Sequence, residues 1–232
     1  MSMEHTTHDH AAGRSYPVFI DMDRRAVTVI GGGGVAERKI AALIGSGALL
    51  RVVSPSVTAR IERWHEEGSL LWIARSYAPG DIAGAFIAFA ATGDGAVNRA
   101  VAEEARSCGA LVNVIDDPDT CDFTVPATVS RGQLRIAVST SGTSPTLAHD
   151  IRTQLEKCYG EEYASYTALL GQIRALAIER VDDPKTRRAL IARSCDGTLL
   201  KRIRDGESPD AQMVFETLLA EAGERVDGKE HL

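Results

Sequence analysis

Residues 26–36, Ala-Val-Thr-Val-Ile-Gly-Gly-Gly-Gly-Val-Ala, constrain the fold of this chain more than any other stretch. The β-branched run Val27-Thr28-Val29-Ile30 stops at four glycines and passes directly into the helical pattern Val35-Ala36-Glu37-Arg38-Lys39-Ile40. Gly31, Gly33 and Ala36 hold the three positions of a G-x-G-x-x-A dinucleotide fingerprint. The first glycine permits the tight turn, the second lets a pyrophosphate approach the backbone, and the small third residue lets the helix pack close to its strand. The start of the helix presents unpaired N–H groups and a partial positive charge to phosphates, which adds Gly34 and Val35 to the candidate set. A glycine-rich turn closing an ordinary βα unit is the plain alternative. The strand before, the helix after and the βα units that follow favour a nucleotide site.

The helix from Val35 is expected to run to about Ser46, where Gly47 stops it. A second strand, 49–53, ends at Ser54-Pro55-Ser56. In a dinucleotide fold that end lies beside the adenosine ribose, where an Asp or Glu normally takes the 2′-hydroxyl. Ser54 stands there instead, with Arg51 nearby on the strand, so the glycines alone do not decide between NAD and NADP. A helix over 57–67 and a strand over 70–74 follow. The nearly continuous apolar run 85–91 suits a strand covered on both faces. Thr92-Gly93-Asp94 opens the next helix, with Asp94 as N-cap and Val97, Ala100, Val101 and Ala105 on the apolar side. A fifth strand, 111–115, ends at Asp116-Asp117-Pro118. Five strands alternating with helices predict an α/β fold, a parallel doubly wound sheet whose ligands bind beyond the carboxyl ends of its strands. Residues 31–34, 54–56, 92–94 and Asp116 all fall at such ends.

A chain of 232 residues has room for one large domain or two modest ones. A net charge of −6 argues against a general nucleic-acid binder. It also leaves an anionic substrate to be held by local arginines and backbone donors rather than by the overall field. No apolar run reaches the ~18 residues of a membrane span, and the N-terminus has no h-region, so no membrane partner is expected. Cys108, Cys121, Cys158 and Cys195 form no CxxC pair. That spacing suits reduced cytoplasmic thiols better than a disulfide frame or a zinc site. Residues 1–15, which include His5, His8 and His10, read as a disordered leader.

After Pro118 the alternation stops. Residues 123–129 and 134–140 read as two strands around the turn Arg131-Gly132, with no helix between them. Ser144 is the expected N-cap and Pro145 the first residue of a helix whose apolar face carries Leu147, Ile151 and Leu155. From 161 to 222 the pattern is amphipathic helix, broken near Asp182-Asp183-Pro184, Asp196-Gly197 and Ser208-Pro209, and the last ten residues look frayed. The hairpin is too small to stand alone, so a second copy is expected to complete it in a homodimer. The expected boundaries are a leader at 1–15, a nucleotide-binding domain at 16–122, a β region for dimerisation and substrate at 123–150, and helices at 151–232.

These residues together resemble the precorrin-2 dehydrogenase family, the N-terminal module of siroheme synthases. The likeness rests on Tyr16-Pro17-Val18-Phe19, then on Gly31 to Lys39 in unbroken order, and on Ala90-Ala91-Thr92-Gly93-Asp94 with Val97-Asn98. It continues through Val112-Asn113-Val114-Ile115-Asp116-Asp117-Pro118, Phe123, Pro126-Ala127, Arg131-Gly132 and the run from Ser139 to Ala148. The resemblance implies a Rossmann-like domain, a small β dimerisation region and a helical C-terminal domain, assembled as a homodimer. It implies NAD-dependent oxidation of precorrin-2 to sirohydrochlorin, on the way to sirohaem. Some members also insert iron(II) into the product. The chain as given is too short for the methyltransferase domain fused to this module in longer siroheme synthases.

The resemblance places the family's key aspartate at Asp116. Removing hydride from the reduced macrocycle leaves a proton to lose, which a carboxylate within hydrogen-bond reach can take. The same carboxylate could strip pyrrole N–H protons if iron is inserted. A loop cap before Pro118 is the structural alternative, and Asp117 is the more structural of the pair. Thr92, Asn113 and the main chain at Ser54, Pro55 and Ser56 are candidates for lining the cofactor. Gly142, Thr143 and Ser144, ahead of a helix, are candidates for receiving substrate carboxylates. Arg38, Arg131 and Arg152 join them, because the tetrapyrrole carries eight carboxylates and Arg offers a bidentate fork. His149 reads as helix surface. The family motif often has two serines where this chain has Ser139-Thr140. The rival from another class is an NAD-sensing regulatory dimer without turnover, which makes no demand for a carboxylate at Asp116.

Overall fold

The β-branched segments become the centre of a parallel sheet because each can bury both of its faces. In the computed structural model, which describes residues 15–227, β1 (Ala26–Ile30) lies between β2 (Leu49–Val53) and β4 (Ile87–Ala90). With β3 (Leu71–Ile73) and β5 (Leu111–Val114) the strand order is β3-β2-β1-β4-β5, every pair parallel. The order reverses between β1 and β4. That is the switch point where doubly wound sheets bind ligands. Residues 1–14 and 228–232 lie outside the description, and with them His5, His8 and His10 of the expected leader and part of the expected frayed end.

Two apolar layers hold the sheet. On one face Ile30, Val53, Ala88, Ala90, Val112 and Val114 pack with Val101, Ala102 and Ala105 of α3 (Gly95–Cys108). On the other, Val27, Val29, Val52, Ile87 and Phe89 pack with Ala36 and Ile40 of α1 (Gly34–Ala41) and Ile61 of α2 (Ala59–Glu66). Asp94 caps α3 as expected, its Oδ1 accepting from Ala96 N at 2.8 Å and Val97 N at 3.4 Å. Asp94→Ala is expected to lower stability by about 1 kcal/mol, read as a shift in urea midpoint at unchanged slope.

α1 is shorter than its sequence pattern suggests. It ends at Ala41, and tighter turns carry the chain to Gly47. There the Ser46 hydroxyl donates to Leu43 O at 2.6 Å, and Gly45 and Gly47 take φ of +79° and +81°. A side chain that satisfies a carbonyl locally competes with the helical ladder, and left-handed residues end it.

β5 is an edge strand, yet its N–H groups are not left open. After the 3₁₀ turn Pro118–Thr120 the chain doubles back along it. Asp122 N donates to Val112 O at 2.9 Å, Val112 N to Asp122 Oδ2 at 2.8 Å, and Val114 N to Cys121 Sγ at 3.1 Å. Side chains thus replace the missing neighbour and blunt the edge. This is why the hairpin starts at Ala127 and not at Phe123.

The chain divides into two compact units between Val125 and Pro126. The second begins with the antiparallel pair β6 (Ala127–Arg131) and β7 (Leu134–Val138), turned at Gly132 with φ +56°. α4 (Pro145–Cys158) is capped by Ser144 and passes through the expected boundary at 150/151. α5 (Glu162–Arg180), α6 (Pro184–Ser194), α7 (Thr198–Arg204) and α8 (Ala211–Asp227) follow, broken where the sequence predicts. Their cores are Tyr166, Leu169, Ile173 and Leu199, and then Ala177, Val181, Leu190 and Phe215. No helix among the described residues is long and apolar enough to cross a membrane. No group of three or more His, Cys, Asp or Glu among them converges as a metal site.

Candidate active site

The four glycines have two different tasks. Gly31 has φ +116°, and a Cβ there would lie 2.3 Å from Ala91 O. A Cβ on Gly32 would lie 2.2 Å from Ser56 O and 2.9 Å from Ser54 Oγ. These two let β1, the end of β2 and the end of β4 close on one another. Gly33 and Gly34 face open space, with nothing within 4 Å of an added Cβ. Gly33 is the N-cap of α1 in an extended conformation, and no side chain caps the helix. The first turn of α1 therefore keeps its N–H groups for an anion.

The opening is a cavity of about 440 Å³ lined by residues 31–33, 54–58 and 91–93. Its walls are the loops after β1, β2 and β4, at the switch point. Two bare glycines under a helix start fit the diphosphate of a dinucleotide. A larger groove, about 620 Å³, lies by the amino ends of β1 to β3 and includes none of these loops. Arg51 belongs to that groove. Its guanidinium donates to Thr28 Oγ1 at 3.0 Å and to Asp81 O at 2.7 Å, away from the end of β2.

Ser54 is buried, and its hydroxyl donates to Ser56 O at 2.7 Å. Pro55 and Ser56 are exposed at the lip. Thr92 lines the cavity and is clamped by Asn98 of α3, a residue that the sequence marks only as part of the family motif and not as a site residue. Thr92 Oγ1 donates to Asn98 Oδ1 at 2.7 Å, and Asn98 Nδ2 donates to Thr92 O at 3.1 Å. A polar residue on the buried side of an amphipathic helix was the available signal, since Asn98 is only 6% exposed. Val57 and Thr58 are further wall residues not anticipated. Asn113 is placed differently from its expected lining role. It is buried in β5, its amide donates to Phe123 O at 2.9 Å, and it is not among the cavity walls.

Asp116 follows β5 at the same end of the sheet, and Ile115 N donates to Ala90 O at 2.9 Å beside the wall at 91–93. It is exposed, takes φ +57°, and makes no hydrogen bond or ion pair among the described residues. A non-glycine residue with positive φ is uncommon, and Asp is among those that enter this region most readily, so the turn forms without glycine and leaves the carboxylate exposed. Its neighbour Asp117 is structural, with Oδ2 accepting from Thr120 Oγ1 at 2.7 Å. On the sheet face under α1, the Lys39 ammonium sits 5.7 Å from the Phe89 ring centre, and burial lowers its pKa. Burial raises the Cys121 thiol, which stays protonated as an edge clasp.

The substrate candidates separate. Arg38 is exposed on α1 without a hydrogen bond or ion pair among the described residues. Arg152 pairs with Glu156 one turn along α4. Arg131 has a side chain only 15% exposed, with Nε 3.3 Å from Glu161 Oε1 but off hydrogen-bond alignment, so that buried N–H keeps no acceptor. Arg152 is thus paired along its own helix, while Arg131 lies beside a carboxylate without a hydrogen bond from its Nε. At the start of α4 the Ser144 hydroxyl accepts from Leu147 N at 3.2 Å, while Gly142 (φ +82°) and Thr143 are exposed. His149 is also exposed on α4.

Comparison with known proteins follows the same division. An NAD(P)-binding family model matches residues 18–127, and the model for the central part of sirohaem biosynthesis proteins matches residues 131–157. Siroheme synthase of Azotobacter vinelandii is 34% identical over 93% of this chain and 47% of its own length. That of Xylella fastidiosa is 36% identical over 90% of this chain and 44% of its own. The chain thus spans about half the length of these curated relatives. The solved structure of SirC, a precorrin-2 dehydrogenase, superposes with a TM-score of 0.73 at 29% identity, covering 89% of this chain and all of that one. An NAD(P)-binding module followed by a sirohaem central module, on this fold, makes the chain a member of the family that unites precorrin-2 dehydrogenase with the N-terminal part of the siroheme synthases.

Proposed function

We propose that the protein oxidises precorrin-2 to sirohydrochlorin with NAD, working as a homodimer. The observation that carries this reading is the glycine-open cavity at the β1–β4 switch point with the unpaired Asp116 carboxylate at the end of the adjacent strand. NAD, when bound, supplies the hydride acceptor. The first turn of α1, with Gly33, Gly34 and Val35, holds the diphosphate, while Ser54, Pro55, Ser56 and Thr92 wall the rest. Asp116 takes the proton released as hydride leaves, so that precorrin-2 and NAD⁺ give sirohydrochlorin, NADH and H⁺. Arg38, Gly142 and Thr143 are the candidates left free to receive ring carboxylates. The dimer reading draws on a two-stranded sheet with unpaired outer edges and on Leu147, 51% exposed on α4.

Anaerobic incubation with precorrin-2 and NAD tests the reading. The expected result is the sirohydrochlorin spectrum with one NADH formed per macrocycle. Binding of NAD without turnover would identify a sensor instead. Iron(II) insertion, the second activity the resemblance brings, is read by adding iron(II) to sirohydrochlorin in the same experiment.

A further inference from the structure

The walls of the cavity carry no charged side chain: residues 31–33, 54–58 and 91–93 are glycine, alanine, valine, proline, serine and threonine. A dinucleotide site that rejects a 2′-phosphate does so with a carboxylate at the end of the second strand, which accepts from the ribose hydroxyl and repels the phosphate. Here that position is Ser54. Its hydroxyl is turned inward to Ser56 O, beside the backbone of Gly32. We propose that the ribose end of this crevice admits NADP as well as NAD, and that Arg60 receives the 2′-phosphate. The inference rests on the dinucleotide reading above and names which dinucleotides the site accepts.

Arg60 stands in the first turn of α2, two residues after the wall residue Thr58. Its side chain is 60% exposed, with Nη1 3.6 Å from Glu37 Oε1 and its guanidinium carbon 4.8 Å from the Trp64 ring centre. Glu37 belongs to the first turn of α1, so the pair joins the starts of the two helices that flank the end of β2. An exposed pair at that separation is weak. A phosphate offers more charge and geometry matched to the guanidinium fork, and so displaces Glu37. The stacking on Trp64 keeps the side chain extended while the exchange occurs. Arg51, in the middle of β2, is held by Thr28 and Asp81 on the side of the strands' amino ends and takes no part.

Fluorescence titration of the full chain with NADH and NADPH tests this. The two dissociation constants are expected to lie within about tenfold of each other, since no carboxylate stands among the cavity walls and the weak Arg60–Glu37 pair is the one contact the phosphate displaces. Arg60→Ala is expected to weaken NADPH at least about fivefold more than NADH. Ser56→Asp, which places a carboxylate on the exposed lip, is expected to weaken NADPH about tenfold more than NADH. Wild-type NADPH binding more than about tenfold weaker than NADH overturns the proposal, as does an Arg60→Ala change equal for the two. A chain that binds neither nucleotide overturns the dinucleotide reading itself, a result distinct from selective loss of NADPH.

Discussion

Gly33→Ala is expected to weaken dinucleotide binding on the order of a hundredfold while leaving the thermal midpoint in place. The added methyl meets no protein atom within 4 Å, and φ at this position is −81°, which any residue adopts. Only a ligand lying against the helix start would collide with it. The neighbouring substitution behaves in the opposite way. In Gly32→Ala the methyl lands 2.2 Å from Ser56 O, so the loop after β2 must shift and the fold itself is destabilised. NADH titration and thermal melts of the two variants side by side separate ligand space from packing space. Unchanged NADH affinity in Gly33→Ala would remove the cavity from the mechanism.

The second large effect is at Asp116. Asp116→Asn is expected to lower turnover of precorrin-2 on the order of 10²–10⁴-fold, with NADH affinity and stability close to wild type. Asparagine is the informative replacement because it keeps the shape and tolerates the left-handed backbone at φ +57°. Alanine would confound loss of the carboxylate with a backbone penalty of about 1 kcal/mol. Anaerobic single-turnover spectra against NADH titrations supply both readouts. If turnover survives in Asp116→Asn, the carboxylate is a turn residue and the base lies elsewhere.

Most of the architecture could be read from residue patterns because the determinants are local. Val27, Val29 and Ile30 report a strand buried on both faces, Asp94 and Ser144 report helix starts through the N–H groups they accept, and Pro184 reports a helix beginning. What could not be read depends on partners distant in sequence. Nothing in Arg51 itself says that its guanidinium belongs to Thr28 and to a carbonyl 30 residues on, rather than to a ribose. Asn113 and Asn98 look alike as isolated amides. One ties down residue 123 and the other holds the cavity wall, a difference set by the loops that the fold lays beside β5 and the start of α3. Arg131 reaches a glutamate 30 positions on only because the fold turns the hairpin back toward the start of α5, whereas the Arg152–Glu156 pair is local to one helix turn. Among the glycines, the distinction between tight packing and open space is likewise a property of neighbouring strands.

The doubled-back path after Asp116 has a mechanical corollary. Because residues 121–123 are fastened along the flank of the edge strand β5, the tether to the second unit leaves the sheet from that edge rather than from the rim at the carboxyl ends of the strands. Any pull transmitted along that tether is borne first by the Cys121, Asp122 and Asn113 clasps. The turn that carries Asp116 is thereby insulated from the load.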